Sequence, residues 1–260
     1  CIYTLMPTMF SSILFSQILI GLNFEKYIPK FIINIFSKIF NISDKEVVIF
    51  ILSLISGYPN NSKMLKNNLN LNNIILYTNF VNPIFLICTV GSIYLKNLKL
   101  TLIILMSHYI SNIIIGILIR NKNIYLNESN INTNENNFFN IYFSSLNNTV
   151  KALVNIFSNI LFFSILISLL NNILPFNDII NSFIIGLFEF SNGIFLISNT
   201  SSSIFIKGLL ITCIITFSSF SIHMQILSIN EKIKYINYLF YRIINVLISS
   251  LIYILLYYFL

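Results

Sequence analysis

Six stretches of this chain, residues 2–22, 74–95, 100–119, 152–170, 204–229 and 235–260, are apolar almost throughout and carry at most one charge each. An α-helix advances about 1.5 Å per residue, so roughly 20 such residues cover the ~30 Å of hydrocarbon in a bilayer. A backbone in hydrocarbon must satisfy its own polar groups, which leaves helices and closed barrels. None of the six stretches alternates apolar and polar residues with a period of two, as barrel strands do. The expected class is therefore an all-α polytopic membrane protein. Composition agrees: 56% of the residues are hydrophobic and 9% charged, and a mean hydropathy of +0.83 leaves no ordinary water-facing surface and no soluble domain of any size.

A net charge of +7 raises nucleic acid as a partner. The basic residues, however, stand singly in the loops between apolar stretches, where the bias of membrane proteins toward positive cytoplasmic loops accounts for them. Cys1, Cys88 and Cys213 are scattered, with no metal or redox spacing, and read as bystanders. The opening Cys1, already at the edge of an apolar stretch, reads as the start of a fragment that lacks its N-terminus. The abundance of Asn and Ile resembles low-G+C codon usage and carries no function.

Two further apolar stretches are too short to cross. Residues 47–56 run straight into Gly57-Tyr58-Pro59-Asn60-Asn61-Ser62-Lys63, and residues 179–188 run into Glu189-Phe190-Ser191-Asn192-Gly193 before a short apolar return at 194–198. About ten residues of helix reach some 15 Å, half a membrane. Both read as re-entrant hairpins, at about 47–66 and 179–198, whose irregular tips must be buried in protein or line a wet cavity. Charge placement favours this topology. With two hairpins, twelve of the fifteen basic residues fall on one side, opposite Lys96, Lys99 and Lys207; if both stretches crossed, the split would be nine to six. Residues 26–45, 121–148 and 230–234 then face the cytoplasm, and both ends of the chain face outward.

Each half now reads as helix, hairpin, interrupted helix, helix. The first repeat occupies residues 1–120 and the second 149–260, joined by an Asn-rich cytoplasmic linker at 121–148. Three crossings per half is odd, so the repeats must be inverted relative to each other, as in many secondary transporters with sites at broken helices near the midplane. The interruptions fall at Asn79-Phe80-Val81-Asn82-Pro83 and at Phe217-Ser218-Ser219-Phe220-Ser221. Pro83 must remove a helical hydrogen bond where it sits.

These motifs resemble a known family. Ser56-Gly57-Tyr58-Pro59 with Lys63, Asn82-Pro83-Ile84-Phe85 with Gly91, and Ser107-His108-Tyr109-Ile110-Ser111-Asn112 match the sporulation integral membrane proteins YlbJ (SpoVV) in order and spacing. Glu189 with Asn192-Gly193, and the run from Phe220 through His223 and Gln225 to Ser228, extend the resemblance over nearly the whole chain. The family belongs to the nucleoside-recognition or Gate-domain group. The resemblance implies passage of dipicolinic acid, a small aromatic dicarboxylate, across the outer forespore membrane of a sporulating bacterium. The chain departs from the family pattern at Asn60, Asn61 and Ser62, where small residues are usual, and at Ser218-Ser219, where glycines are usual.

Of eight acidic residues, Glu189 alone lies deep in an apolar segment. A carboxylate at the bilayer centre costs roughly 3 kcal/mol and needs a partner, a proton or a cavity. Glu189 is therefore the expected ion-coupling residue for a proton or cation, with Lys63 of the opposite hairpin as its expected partner. An anionic solute asks for donors, which half-helix N-termini at a break supply. The expected substrate-binding set is Gly57, Tyr58, Asn60, Asn61 and Lys63 in the first hairpin and Asn79 and Asn82 at the first break. In the second half it is Ser191, Asn192 and Gly193 in the hairpin and Ser219, Ser221, His223 and Gln225 at the break. His108 reads as a helix-packing residue. No His-Glu-x-x-His, Gly-x-Ser-x-Gly, intramembrane aspartyl pair or Walker-type loop occurs, so neither an enzyme nor a catalytic or cofactor site is expected. The expectation is a membrane permease for a small polar, anionic solute, with the lipid bilayer as surroundings and no nucleic-acid partner. A nucleoside-type transporter and a non-transporting assembly protein are the alternatives, and a homo-oligomer is left open.

Overall fold

The computed structural model describes residues 2–22, 24–58, 60–65, 71–120, 137–171, 177–229 and 233–259. Among them the chain is helical throughout, with no strand. The elements are α1 (Ile2–Gly21), a 3-10 turn (Phe24–Tyr27), α2 (Lys30–Phe40), α3 (Asp44–Ser56), α4 (Asn60–Met64), α5 (Leu71–Ile74), a π-helix (Phe85–Tyr94) and α6 (Leu98–Leu118). There follow α7 (Phe138–Asn171), α8 (Asp178–Phe188), α9 (Phe190–Asn199), α10 (Ile204–Phe217), α11 (Ser219–Ile229) and α12 (Tyr235–Phe259).

Among the described residues, four helical stretches are long and apolar enough to cross a membrane: Leu98–Leu118, Phe138–Leu169, Ile204–Ile229 and Tyr235–Phe259. They are compatible with an integral membrane protein. Two of the six expected spans do not join them. Residues 74–95 are not one helix, because α5 stops at Ile74, the chain turns and extends through residue 82, and the π-helix begins only at Phe85. In α1, the apolar part with described side chains is the shorter stretch Met9–Gly21. α7 starts at Phe138, so the end of the expected 121–148 linker is helical, and residues 121–136 lie outside the described residues.

The long helices are inside-out. The buried residues of α12 are Tyr238, Arg242, Asn245, Ser249 and Tyr253, whereas Ile236, Phe240, Ile243, Leu247, Leu251 and Leu255 are exposed. α6 likewise buries Ser107, His108, Ser111 and Asn112 and exposes Leu102, Met106 and Ile110. Water would penalise such faces, but hydrocarbon favours them.

The packing pairs elements of the two halves. α1 lies against α7, and α6 against α12. α4 touches α11, while α9 touches the π-helix. α10 fits between α6 and α12. Between α1 and α3 the sequence suggests only a loop, yet α2 forms there. Its Phe40 packs its ring 4.8 Å from Phe50 of α3 and 5.3 Å from Tyr77. α3 opens on a capping box, in which the buried Glu46 accepts the Ser43 N–H at 2.9 Å.

Candidate functional site

The first break is non-helical backbone at 78–82, buried throughout. Buried backbone groups must be paired, and neighbouring elements supply the partners. α3 ends at Gly57 with φ 70, and the following Tyr58 donates its N–H to the Phe80 carbonyl at 2.7 Å. A Cβ on Gly57 would stand 2.5 Å from the Asn82 nitrogen, so only glycine brings this tip so close. Asn61 donates to the Thr78 carbonyl at 2.9 Å. His108 accepts the Val81 N–H on Nε2 at 3.1 Å, which leaves its proton on Nδ1, facing Thr216 Oγ1 at 3.1 Å. Asn82 restarts the helix: its Oδ1 accepts the N–H groups of Ile84 and Phe85, and its amide donates to Ser12 at 2.7 Å.

The second half solves the same problem differently. α8 and α9 fold back on each other about Glu189, tightly enough that a Cβ on Gly193 would lie 2.1 Å from the Gly186 Cα. Glu189 is fully buried and caps α9: its carboxylate accepts from the Ser191 N–H at 3.1 Å, the Ser191 hydroxyl at 2.7 Å and the Asn192 N–H at 2.8 Å. The α10–α11 break is sharp, with Ser218 at φ 69 and Ser219 at φ 37, both in the left-handed region that favours glycine. Ser219 donates to the Gly186 carbonyl at 2.5 Å, docking the break onto the hairpin. His223 donates Nε2–H to the Phe217 carbonyl at 2.8 Å and accepts from the Tyr235 hydroxyl at 3.3 Å.

The two breaks meet. The Asn79 amide donates to the Ser218 hydroxyl and to the Tyr238 hydroxyl, each at 2.8 Å. The tips meet as well, with the Tyr58 and Phe190 rings edge to face at 5.8 Å. Beside this crossing lies Arg242, fully buried on α12. It stacks over Tyr238 with 5.6 Å from its guanidinium carbon to the ring centroid. Its Nη2 donates to the Leu76 carbonyl and, at 3.2 Å, to Asn112 Oδ1, and its Nη1 donates to the Thr216 carbonyl at 3.4 Å. Asn245 donates to the same Asn112 oxygen at 2.9 Å.

Among the described residues, several buried polar atoms on these elements have no hydrogen-bond partner: the Tyr58 and Ser221 hydroxyls, Oδ1 of Asn61 and Asn79, both amide atoms of Gln225, Nε of Arg242 and Oδ1 of Asn245. Such atoms each cost on the order of 1–3 kcal/mol unless something binds them. Tyr58 also lies within electrostatic reach of Glu189, Tyr238 and Arg242.

Of the expected site residues, Gly57, Tyr58, Asn61, Asn79, Ser219, Ser221 and Gln225 lie on the tips and breaks that meet here. The side chains of Asn60 and Lys63 lie outside the described residues, and with them the expected Glu189–Lys63 pair. Five others have structural work. Asn82 is a cap, Ser191 gives its N–H and hydroxyl to Glu189, Gly193 is a helix crossing, Asn192 turns to Ser164 of α7 at 3.1 Å, and His223 has both ring nitrogens engaged. Arg242, counted by sequence among the cytoplasmic charges, is instead interior. The signal that marks it is the polar spacing 238, 242, 245, 249, 253, one face of a helix. Comparison with family models, with curated proteins and with solved structures finds no match for this chain.

Proposed function

We propose that this chain is a membrane permease, not an enzyme, that moves a small polar, anionic solute through the crossing of its two broken helices. The observation that carries the reading is the Asn79–Ser218 bond, which joins two irregular backbone segments inside an otherwise apolar molecule. Beside it the buried Oδ1 of Asn79 has no hydrogen-bond partner among the described residues. Irregular backbone at membrane depth is tolerated where it lines a solute path.

The contacts between halves support two inverted repeats. Each first helix meets its counterpart, as does each last helix, and each hairpin's return arm packs on the far arm of the other half's broken helix, α4 on α11 and α9 on the π-helix. Such reciprocity is what a two-fold axis in the membrane plane produces. In this reading α3–α4 and α8–α9 are re-entrant, and Glu189 couples solute movement to a proton or cation. The family resemblance supplies dipicolinate as the first solute to try, in the outer forespore membrane of a sporulating host.

The test is uptake of labelled dipicolinate, with a nucleoside as comparator, by proteoliposomes holding the full-length protein or its Glu189→Gln variant. Saturable dipicolinate uptake that the variant loses supports the reading. If neither solute moves although the protein is folded and inserted, the permease reading fails and an assembly role takes its place.

A further inference from the structure

We propose that Arg242 is the residue that receives the negative charge of the solute, holding a carboxylate at the crossing of the two breaks. The proposal rests on the permease reading for its solute and names the chemistry that the site selects.

Three observations point to it. Arg242 is fully buried, yet among the described residues no carboxylate pairs with it; its partners are two backbone carbonyls and the neutral Asn112. A guanidinium carries five N–H donors, and the three bonds it makes leave its Nε–H and one Nη1 hydrogen; among the described residues Nε is buried without a partner. The other described acid at the hairpin tips, Glu189, is committed to capping α9 through three donors.

The bonds that Arg242 does make hold it in place. The carbonyls of Leu76 and Thr216 belong to the chain just ahead of the first and the second break, so the guanidinium joins both broken helices. Asn112, itself bonded to Asn245, fixes its remaining edge. A guanidinium held in this way keeps its Nε–H pointing in one fixed direction, a single charge-assisted donor for a carboxylate oxygen that a mobile ammonium does not pre-position. Within its electrostatic reach is the Tyr58 hydroxyl, which is buried without a hydrogen-bond partner among the described residues. Arg120, the chain's other arginine, is exposed at the end of α6 and serves as a control.

The experiment is equilibrium binding of labelled dipicolinate and of succinate to the full-length protein in neutral detergent, with pyridine-2,6-dicarboxamide as the uncharged match. Wild type and Arg120→Gln should bind an anion and discriminate against the diamide. Arg242→Gln should lose about 10- to 100-fold in anion affinity, the effect of one charge-assisted contact, with diamide binding unmoved. A wild type that binds neither anion, or an Arg242→Gln protein that binds one as tightly as wild type, overturns the proposal. If Arg242→Gln does not fold, Arg242→Lys carries the test: about 10-fold weaker anion binding with the choice over the diamide retained supports the fixed Nε–H donor, and unchanged affinity overturns it. Arg242-dependent binding of an anion that proteoliposomes do not transport would sink the permease reading alone. Uptake of the nucleoside by a protein that binds no anion would sink only the role of Arg242.

Discussion

Replacing Gly193 with alanine separates a packing glycine from a solute-binding one. The added Cβ would fall 2.1 Å from the Gly186 Cα and 2.5 Å from its nitrogen, against the 3.4 Å where ordinary contact begins. Both atoms are backbone, so no side chain can swing away, and α8 and α9 must part by more than ~1 Å for the methyl to fit. Overpacking of this kind costs about 1–3 kcal/mol. For a chain of this length that lowers the melting temperature by roughly 3–10 °C. The parting also pulls Gly186 from Ser219, whose hydroxyl it holds at 2.5 Å, so damage at the hairpin reaches the break. The assay is thermal unfolding of the purified full-length protein in detergent, with Gly91→Ala beside it. There the nearest atom is the Thr101 hydroxyl at 2.9 Å, a side chain that can give, and the loss should stay below about 1 kcal/mol. A Gly193→Ala protein as stable as wild type would refute the described crossing of α8 and α9.

Asn79→Ala removes the bond between the two breaks and the bond from the first break to α12, and chemical denaturation should register a loss of about 1–3 kcal/mol. Asn79→Ser, which shortens the donor, should not restore it. Glu189→Gln keeps one acceptor oxygen for the α9 N-terminus, turns the other into a donor and removes the charge, so stability should fall by about 1–3 kcal/mol while any pH dependence of uptake flattens. An unchanged pH profile would end the coupling role. A cysteine placed at position 96 should react with an impermeant thiol reagent only from outside the cell, and labelling from the cytoplasm would reverse the topology.

Much of the helical plan is legible in the sequence because hydrocarbon imposes a length on it. The breaks are legible too, since Asn79 to Pro83 and Ser218-Ser219 place poor helix formers inside apolar runs, and both positions are non-helical or left-handed in the structure. The pairing of distant elements is less so. Nothing in the first hairpin's sequence says that Tyr58 would bind Phe80, because a backbone bond leaves no residue signature. Its return arm is also shorter than the second hairpin's, five residues in α4 against ten in α9. The polar Asn60-Asn61-Ser62-Lys63 run explains why an apolar return helix does not form there. α2 is missed for the opposite reason: Ile33, Phe36 and Phe40 have helical spacing, but two lysines and its shortness make it read as a loop. Arg242 is misread because one charge near the start of a long apolar helix looks like an interfacial anchor. Only the spacing of its polar neighbours places it inside.

Two buried charges that do not pair with each other need a physical account, and the breaks provide one. Glu189 sits at the N-terminus of α9, where the helix dipole is equivalent to roughly half a positive charge. Arg242 binds a carbonyl in the last turn of α10, where the dipole has the opposite sign. Each charge is thus compensated in part by a helix end of the other sign, and neither needs an ion pair to stay in place. A direct Glu189–Arg242 pair would neutralise both more fully, but it would leave nothing for the proposed solute or coupling ion to complete. Partial compensation keeps the intramembrane cost, roughly 3 kcal/mol for an uncompensated charge, within reach of folding, and it leaves the guanidinium with donors and attraction to spare. It also predicts which damage is worst. Releasing α10 at its break, for instance with Ser218→Ala and Ser219→Ala together, would remove the Asn79–Ser218 and Ser219–Gly186 bonds that hold the turn and let the Thr216 carbonyl move off the guanidinium. Arg242 would then lose a partner without being touched. Anion binding should weaken in that double variant even though neither serine hydroxyl is needed to hold the anion, and binding left at the wild-type level would show that the break does not position the arginine.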